Sequence, residues 1–223
     1  MSLEMRTSLD TPIPEIFVAA HRLSDAVDAH LGGDYENASR LLREADCPKV
    51  WAYIDAGWGK GARARYAFVE VPGAPPLLLK PDRPTPRMPT NITKAAVKLR
   101  DKMHCRFCGM PVIDAAIRKA VVCCYPDVVG WPRTDVGKHA AFTCMWLQYD
   151  HILPNSRGGD SSLENIVLTC AACNFGRMET TLEEGRLAHP LQANPQIVWS
   201  GYKDWDGLER FSARKQPEGS GDA

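Results

Sequence analysis

Four cysteines of the chain stand in two pairs whose spacing suits a metal ion. The pairs are Cys105 with Cys108 and Cys170 with Cys173, and two residues separate the members of each pair. Two such turns can converge on one tetrahedral zinc ion, and four thiolates close its coordination sphere, so that no position is left for a substrate. The spacing therefore predicts a structural Zn²⁺ site that contributes to folding and takes no part in catalysis.

A second group of polar residues flanks the second cysteine pair. His151 has a side chain whose ordinary pKa, near ~6.5, allows it to take a proton from water at neutral pH. Asp150 offers a carboxylate oxygen, and Asn174, which directly follows Cys173, offers an amide oxygen. Oxygen donors of this kind suit a hydrated Mg²⁺ or Mn²⁺ ion beside a phosphate. Side chains of these types can serve as a proton acceptor and as ligands of a divalent cation.

The elements that must position these residues follow the order strand, loop, strand, helix. Residues 146–149 and 166–169 are rich in large or branched apolar side chains and are the two predicted strands. Gly158 and Gly159 allow a tight loop between them, and a helix is predicted over residues 174–185. This arrangement brings Asp150, His151 and Asn174 within reach of one another.

At these positions the sequence resembles the HNH endonuclease family, over roughly residues 95–178. The resemblance rests on Val97-Lys98-Leu99-Arg100-Asp101, both cysteine pairs, Asp150-His151-Ile152, Gly158-Gly159, Asn165 and Cys173-Asn174. It implies a ββα-metal fold and hydrolysis of phosphodiester bonds with His151 as the general base. It also implies that Asn165 braces the loop and orients the histidine, and that Asp150 and Asn174 hold the catalytic cation. Many family members have histidine where this chain has Asn174, and the amide favours Mg²⁺ or Mn²⁺ over nickel or zinc.

The basic residues of the chain are concentrated in its middle. Residues 51–110 carry 11 basic and 4 acidic side chains, a net charge of +7, although the whole chain is neutral. A helix predicted over residues 90–102 presents Lys98, Arg100 and Lys102, and we expect these and Arg177 to contact the substrate backbone. DNA is the expected partner, and RNA is not excluded.

The N-terminal region has a different character. Helices are predicted over residues 14–31 and from a cap at Asp34 to just before Pro48, and a short strand over residues 66–71. Residues 1–50 carry 5 basic and 9 acidic side chains, a net charge of −4. The acidic balance favours contact with a protein partner, or homodimerisation, over phosphate binding.

These observations predict an α+β protein in four parts. Residues 1–71 form a mainly helical region, residues 72–89 a linker with seven prolines, residues 90–215 the nuclease domain and residues 216–223 a disordered tail. No apolar run approaches the ~20 residues that a membrane-spanning helix needs, and the first residues do not resemble a secretion signal. A cytoplasmic location without membrane contact is expected, where thiolates stay reduced.

The leading hypothesis is a metal-dependent DNA endonuclease, with restriction or phage defence as its setting. One alternative is a zinc-stabilised nucleic-acid-binding module that keeps the scaffold without cutting. The other is a toxin or defence effector nuclease that is silent until a partner binds the N-terminal region.

Overall fold

The computed structural model describes residues 5–57, 65–193, 195 and 199–212. Seven α-helices lie within these ranges, together with one two-stranded antiparallel sheet, and the predicted α+β class is confirmed. The helices are α1 (Pro14–Leu31), α2 (Tyr35–Ala45), α3 (Pro48–Gly57), α4 (Asn91–Asp101), α5 (Ala115–Cys124), α6 (Ala140–Cys144) and α7 (Ala171–Arg177). The strands are β1 (Gln148–His151) and β2 (Ile166–Thr169), and 3₁₀ turns occur at residues 80–82, 155–157, 200–203 and 209–212.

The two N-terminal helices form where local signals predict them. α1 ends at Leu31 and is followed by Gly32 and Gly33. Gly33 adopts a positive φ of 85°, which glycine tolerates without strain. The carboxylate of Asp34 then accepts a hydrogen bond from the backbone N–H of Asn37 and caps α2. The predicted strand at residues 66–71 is wrong: Arg65 and Tyr66 are helical, Ala67 turns the chain with a φ of 49°, and residues 68–71 have no regular secondary structure.

The sheet and the last helix form the scaffold of the candidate site. β1 and β2 pair antiparallel, with His151 opposite Ile166 and Gln148 opposite Thr169. The second strand matches its prediction residue for residue. α7 begins three residues earlier than predicted and ends at Arg177, well before Gly185, because Met178 turns the chain with a φ of 49°.

The hydrophobic core runs without a break from the N-terminal helices to the sheet. α3 packs against α6 and α7, and α1 contacts α6. Trp199, Trp205 and Phe211 of the C-terminal segment are also buried in this core. Residues on both sides of the predicted division at residue 71 thus share this core. The division into four parts stays a prediction, and its tail at residues 216–223 lies outside the described residues.

In the described part of the chain, no helix combines the length and the apolar character needed to cross a membrane.

Candidate functional site

The four paired cysteines come together in the structure. All four Sγ atoms lie within 4.8 Å of one another and are buried, and the Sγ atoms of Cys108 and Cys170 are 3.7 Å apart. A zinc ion with Zn–S distances of about 2.3 Å holds tetrahedral sulfurs about 3.8 Å apart. The cluster therefore fits a structural zinc ion in both its donor set and its size.

The cysteine cluster fixes the elements that carry the polar residues. Cys170 follows directly on β2 and is the N-cap of α7, where its Sγ accepts a hydrogen bond from the backbone N–H of Cys173 at 3.5 Å. The buried carboxylate of Asp101, at the end of α4, accepts a hydrogen bond from the backbone N–H of Leu168 at 2.8 Å. A metal bound by the two pairs would thus lock β2, α7 and the end of α4 together.

An open cleft of about 670 Å³ lies beside the sheet, and Asp150, His151 and Asn174 all line it. β1 supplies the first two residues and α7 supplies the third, as the strand, loop, strand, helix order requires. The remaining walls come from residues 146–149, from residues 154–156 of the loop between the strands, from the end of α7 and from a segment near residues 77–88.

Asp150 is held by a buried arginine. The Nη2 atom of Arg177 donates to Oδ2 of Asp150 at 2.7 Å, and Nε donates to the same oxygen at 3.2 Å. Burial raises the pKa of Asp150, while the guanidinium of Arg177 acts in the opposite direction. The ion pair therefore offsets part of the cost of a charged carboxylate at this depth and fixes its orientation.

The hydrogen bonds of His151 determine its tautomer. Ser161 Oγ lies 3.1 Å from Nε2 of His151, and it lies 2.9 and 2.8 Å from the carbonyl oxygens of Pro86 and Arg87. Both carbonyls can only accept, so the single hydroxyl proton of Ser161 goes to one of them, and Oγ accepts the Nε2–H of His151. The neutral imidazole consequently has a free lone pair on Nδ1, which is the atom able to take a proton.

The electrostatic surroundings of His151 favour the neutral ring. Burial is the largest factor and lowers the pKa of His151 below its ordinary value, and the positive charges of Arg87 and Arg177 act in the same direction. The carboxylate of Asp150 opposes them. These surroundings favour the neutral form of the ring, which is the form that can accept a proton.

Asn165 spans the loop between the strands. Its Oδ1 accepts from the backbone N–H of Leu153 at 2.8 Å, and its Nδ2 donates to the carbonyl of Asp160 at 2.7 Å. Gly159 passes so close that a Cβ there would lie 2.7 Å from Nδ2 of Asn165 and 1.8 Å from the carbonyl oxygen of Leu153. Only glycine fits at position 159. The hydrogen bonds of Asn165 to Leu153 and Asp160 hold both ends of the loop that follows His151.

The four residues expected to contact the substrate differ in their exposure and in their partners within the fold. Arg177 is 1% exposed, so the structure gives it the role of holding Asp150 in place of the predicted phosphate contact. Lys98 pairs with Asp114 at 2.7 Å, and Arg100 donates to the carbonyl of Ile166 at 2.6 Å, which joins α4 to β2. Lys102 is exposed at the end of α4. None of these four lines the cleft.

Sequence reasoning placed Arg83 and Arg87 in the basic middle of the chain, but it treated the segment 72–89 as a linker and missed that this segment lines the cleft. Arg83 and Arg87 line the cleft, and the carbonyls of Pro86 and Arg87 reach Ser161. The prolines around them indicated only an extended connection. The signal that could have found them is the two arginines set among prolines that prevent the chain from folding back on itself.

The chain was compared with known proteins. The family model described as HNH endonuclease matches residues 137–177, which run from just before α6 to the end of α7. No curated protein and no solved structure gives a match. HNH nucleases act on nucleic acids and use metal ions, and the matched span contains the hairpin, the second cysteine pair and all three polar residues that line the cleft. The chain thus carries an HNH endonuclease domain in its C-terminal half, and this domain indicates a nuclease of the HNH superfamily.

Proposed function

We propose that the protein is a metal-dependent endonuclease that hydrolyses phosphodiester bonds of DNA. The observation that carries the proposal is that His151, Asp150 and Asn174, which all lie in the matched HNH span, line one open cleft. A base and two oxygen donors in a cleft of this size are the parts that phosphodiester hydrolysis requires.

His151 is the general base of the proposed reaction. Its Nε2–H is directed to Ser161, so Nδ1 takes the proton from the attacking water. The loop that follows His151 is held by Asn165, which limits the motion of the ring. Asn165 is therefore a positioning residue, and its replacement should slow the reaction without altering its course.

Asp150 and Asn174 are the proposed ligands of a catalytic Mg²⁺ or Mn²⁺ ion. The amide nitrogen of Asn174 faces Oε1 of Gln148 at 3.5 Å, which leaves its amide oxygen for a cation. A divalent cation there supplies Lewis-acid stabilisation of the negative charge that develops on the phosphate and on the leaving 3′ oxygen. The products then carry 5′ phosphates.

The proposed setting is restriction or phage defence in the cytoplasm, where foreign DNA and reduced cysteine thiolates occur together. The alternative of a non-cleaving binding module requires that the base and the oxygen donors have no chemical task. An effector that awaits a partner would receive it through the N-terminal helices, of which α3 packs against α6 and α7 of the HNH region.

A plasmid assay tests the proposal. Supercoiled DNA incubated with the protein and Mg²⁺ or Mn²⁺ should be nicked or linearised, and Asn174→Ala should reduce the rate by about 10- to 100-fold, as loss of a metal ligand or its support does. Ligation of the products without a kinase would show the 5′ phosphate. Tight DNA binding with no cleavage under either metal would favour the binding module, and cleavage that appears only when a partner protein is added would favour the effector.

A further inference from the structure

The proline-rich segment 72–89, called here the strap, is fixed to the loop between β1 and β2. The backbone N–H of Leu78 donates to the carbonyl of Ser156 at 2.7 Å. In the other direction, Arg157 Nη1 donates to the carbonyl of Pro75 at 2.5 Å, and Asn155 Nδ2 donates to that of Pro84 at 2.9 Å. The strap thus follows the loop over much of its length.

The direction of these bonds follows from the composition of the strap. Proline has no backbone N–H, so a chain with seven prolines offers mainly carbonyl acceptors. The loop supplies matching side-chain donors at Asn155, Arg157 and Ser161. Asn155 is 6% exposed, and its second bond, to the carbonyl of Gly159 at 3.2 Å, lies within the loop. The strap, held in this way, forms one wall of the cleft.

The strap also supplies the positive charge of the cleft. Among the described residues that line it, Arg83 and Arg87 are the ones with lysine or arginine side chains, while Asp150 and Glu179 are acidic. Arg83 donates through Nε to the carbonyl of Leu78 at 3.1 Å, so its position is fixed. Arg87 is exposed, and the described residues give its guanidinium no hydrogen-bond or ion-pair partner.

We propose that Arg87 forms a phosphate-binding subsite, with Arg83 beside it, for the backbone of the DNA strand that enters the cleft. This inference rests on the proposed function, because it names the residues that hold the substrate of the same site. The carbonyl of Arg87 is bonded to Ser161, which holds His151, so the guanidinium and the base are carried by one connected piece of structure. An arginine fork binds two phosphate oxygens at once, which fixes a strand more strictly than a point charge does.

Binding can be measured apart from cleavage. In a His151→Ala background, the dissociation constant of a fluorescein-labelled 20-base-pair duplex is determined over a range of salt concentrations. Arg87→Gln should weaken binding about tenfold, as expected for a charge-assisted hydrogen bond. It should also reduce the slope of log K against log salt by about one, since one phosphate contact is lost.

Two further variants sharpen the test. Arg87→Lys keeps the charge and should recover the salt slope, but it should recover only part of the affinity because the fork is lost. Arg43→Gln is the matched control, since Arg43 is an exposed arginine of α2 that does not line the cleft. It should leave both the affinity and the slope unchanged.

The outcomes separate this inference from the proposed function. If the wild-type protein cleaves DNA and Arg87→Gln binds the duplex as tightly as its parent with the same slope, the subsite is wrong and the nuclease stands. If the wild-type protein does not cleave but Arg87→Gln loses affinity and slope, the subsite stands and the nuclease is wrong. An equal loss in Arg43→Gln also overturns the subsite, because it would show a general charge effect.

Discussion

The two flanks of the cleft are held by different means. On one flank, β2 and α7 are tied through buried cysteines whose Sγ atoms lie within 4.8 Å of one another. On the other flank, the strap is held by hydrogen bonds from the side chains of three loop residues to its carbonyls. The spacing of cysteines can be recognised in a sequence. A backbone carbonyl acceptor cannot, because every residue has one. The comparison teaches that a motif can identify half of an active site while the other half is contributed by a segment without a motif.

The largest effect is expected on the cysteine-held flank. Cys170→Ser, or removal of zinc with a chelator, should unfold the HNH region, because structural zinc contributes about 10–16 kcal/mol in small metal domains. Thermal unfolding followed by circular dichroism, with elemental analysis of zinc, measures this. Cys123→Ser is the control, since Cys123 is exposed and outside the cluster. A Cys170→Ser protein that melts like the wild type would show that the cluster does not stabilise the fold.

The buried ion pair comes next. Arg177→Met leaves the carboxylate of Asp150 without its cation at a site that is 7% exposed, and we expect a loss of about 3–5 kcal/mol in the free energy of unfolding. Urea unfolding gives this value. The double variant Asp150→Asn with Arg177→Met should recover part of the loss, since no unpaired charge is then buried. Unchanged urea stability in Arg177→Met would refute the assigned role.

The hydrogen bond between Ser161 and the general base His151 should have a smaller effect. We expect that effect on the reaction rate. Ser161→Ala removes the acceptor that directs Nε2–H of His151, so kcat should fall about tenfold with little change in KM. Ser161→Thr keeps the hydroxyl and should recover the rate. Ser162→Ala serves as the control, because Ser162 bonds to Asp160 in the same loop and does not contact the histidine. A drop in kcat that Ser161→Thr does not recover would contradict the tautomer assignment.

The smallest effect is a displacement of the pH profile. Burial, Arg87 and Arg177 all lower the pKa of His151, so the neutral base persists at lower pH and the acid limb of kcat should have its midpoint below about 6.5. Arg87→Gln removes one of the positive charges and should move that midpoint upward. Rates at saturating duplex DNA across a pH series measure both. An acid limb centred above the ordinary histidine value would contradict the described surroundings of the ring.

Local signals made much of the fold predictable. Capping side chains and apolar periodicity gave α1, α2 and α4, and branched apolar residues gave β2, since these patterns act over a few residues. The end of α7 was missed because it depends on tertiary contacts. Its last residue, Arg177, turns inward to Asp150 and bonds through Nη1 to the carbonyl of Thr180 at 3.0 Å.

The candidate site, like the fold, could be predicted from local signals only in part. Residue types at fixed spacing indicated the four cysteines and the three polar residues, because metal and phosphate chemistry accepts few side chains. Lys98 and Arg100 do not line the cleft, because acidic and carbonyl partners within the fold engage them, and their contact with the substrate backbone stays a prediction. The cleft takes its arginines from the strap, whose path over the loop is set by contacts between residues about 70 to 80 positions apart.

The ratio of initial DNA-cleavage rates between His151→Ala and the wild type, at equal zinc content and with Mn²⁺ present, tests the central claim most directly. Loss of the base should lower the rate by about 10²- to 10⁴-fold while the melting temperature stays near that of the wild type. Equal cleavage rates in the two proteins, or no cleavage by fully folded wild type, would contradict the account.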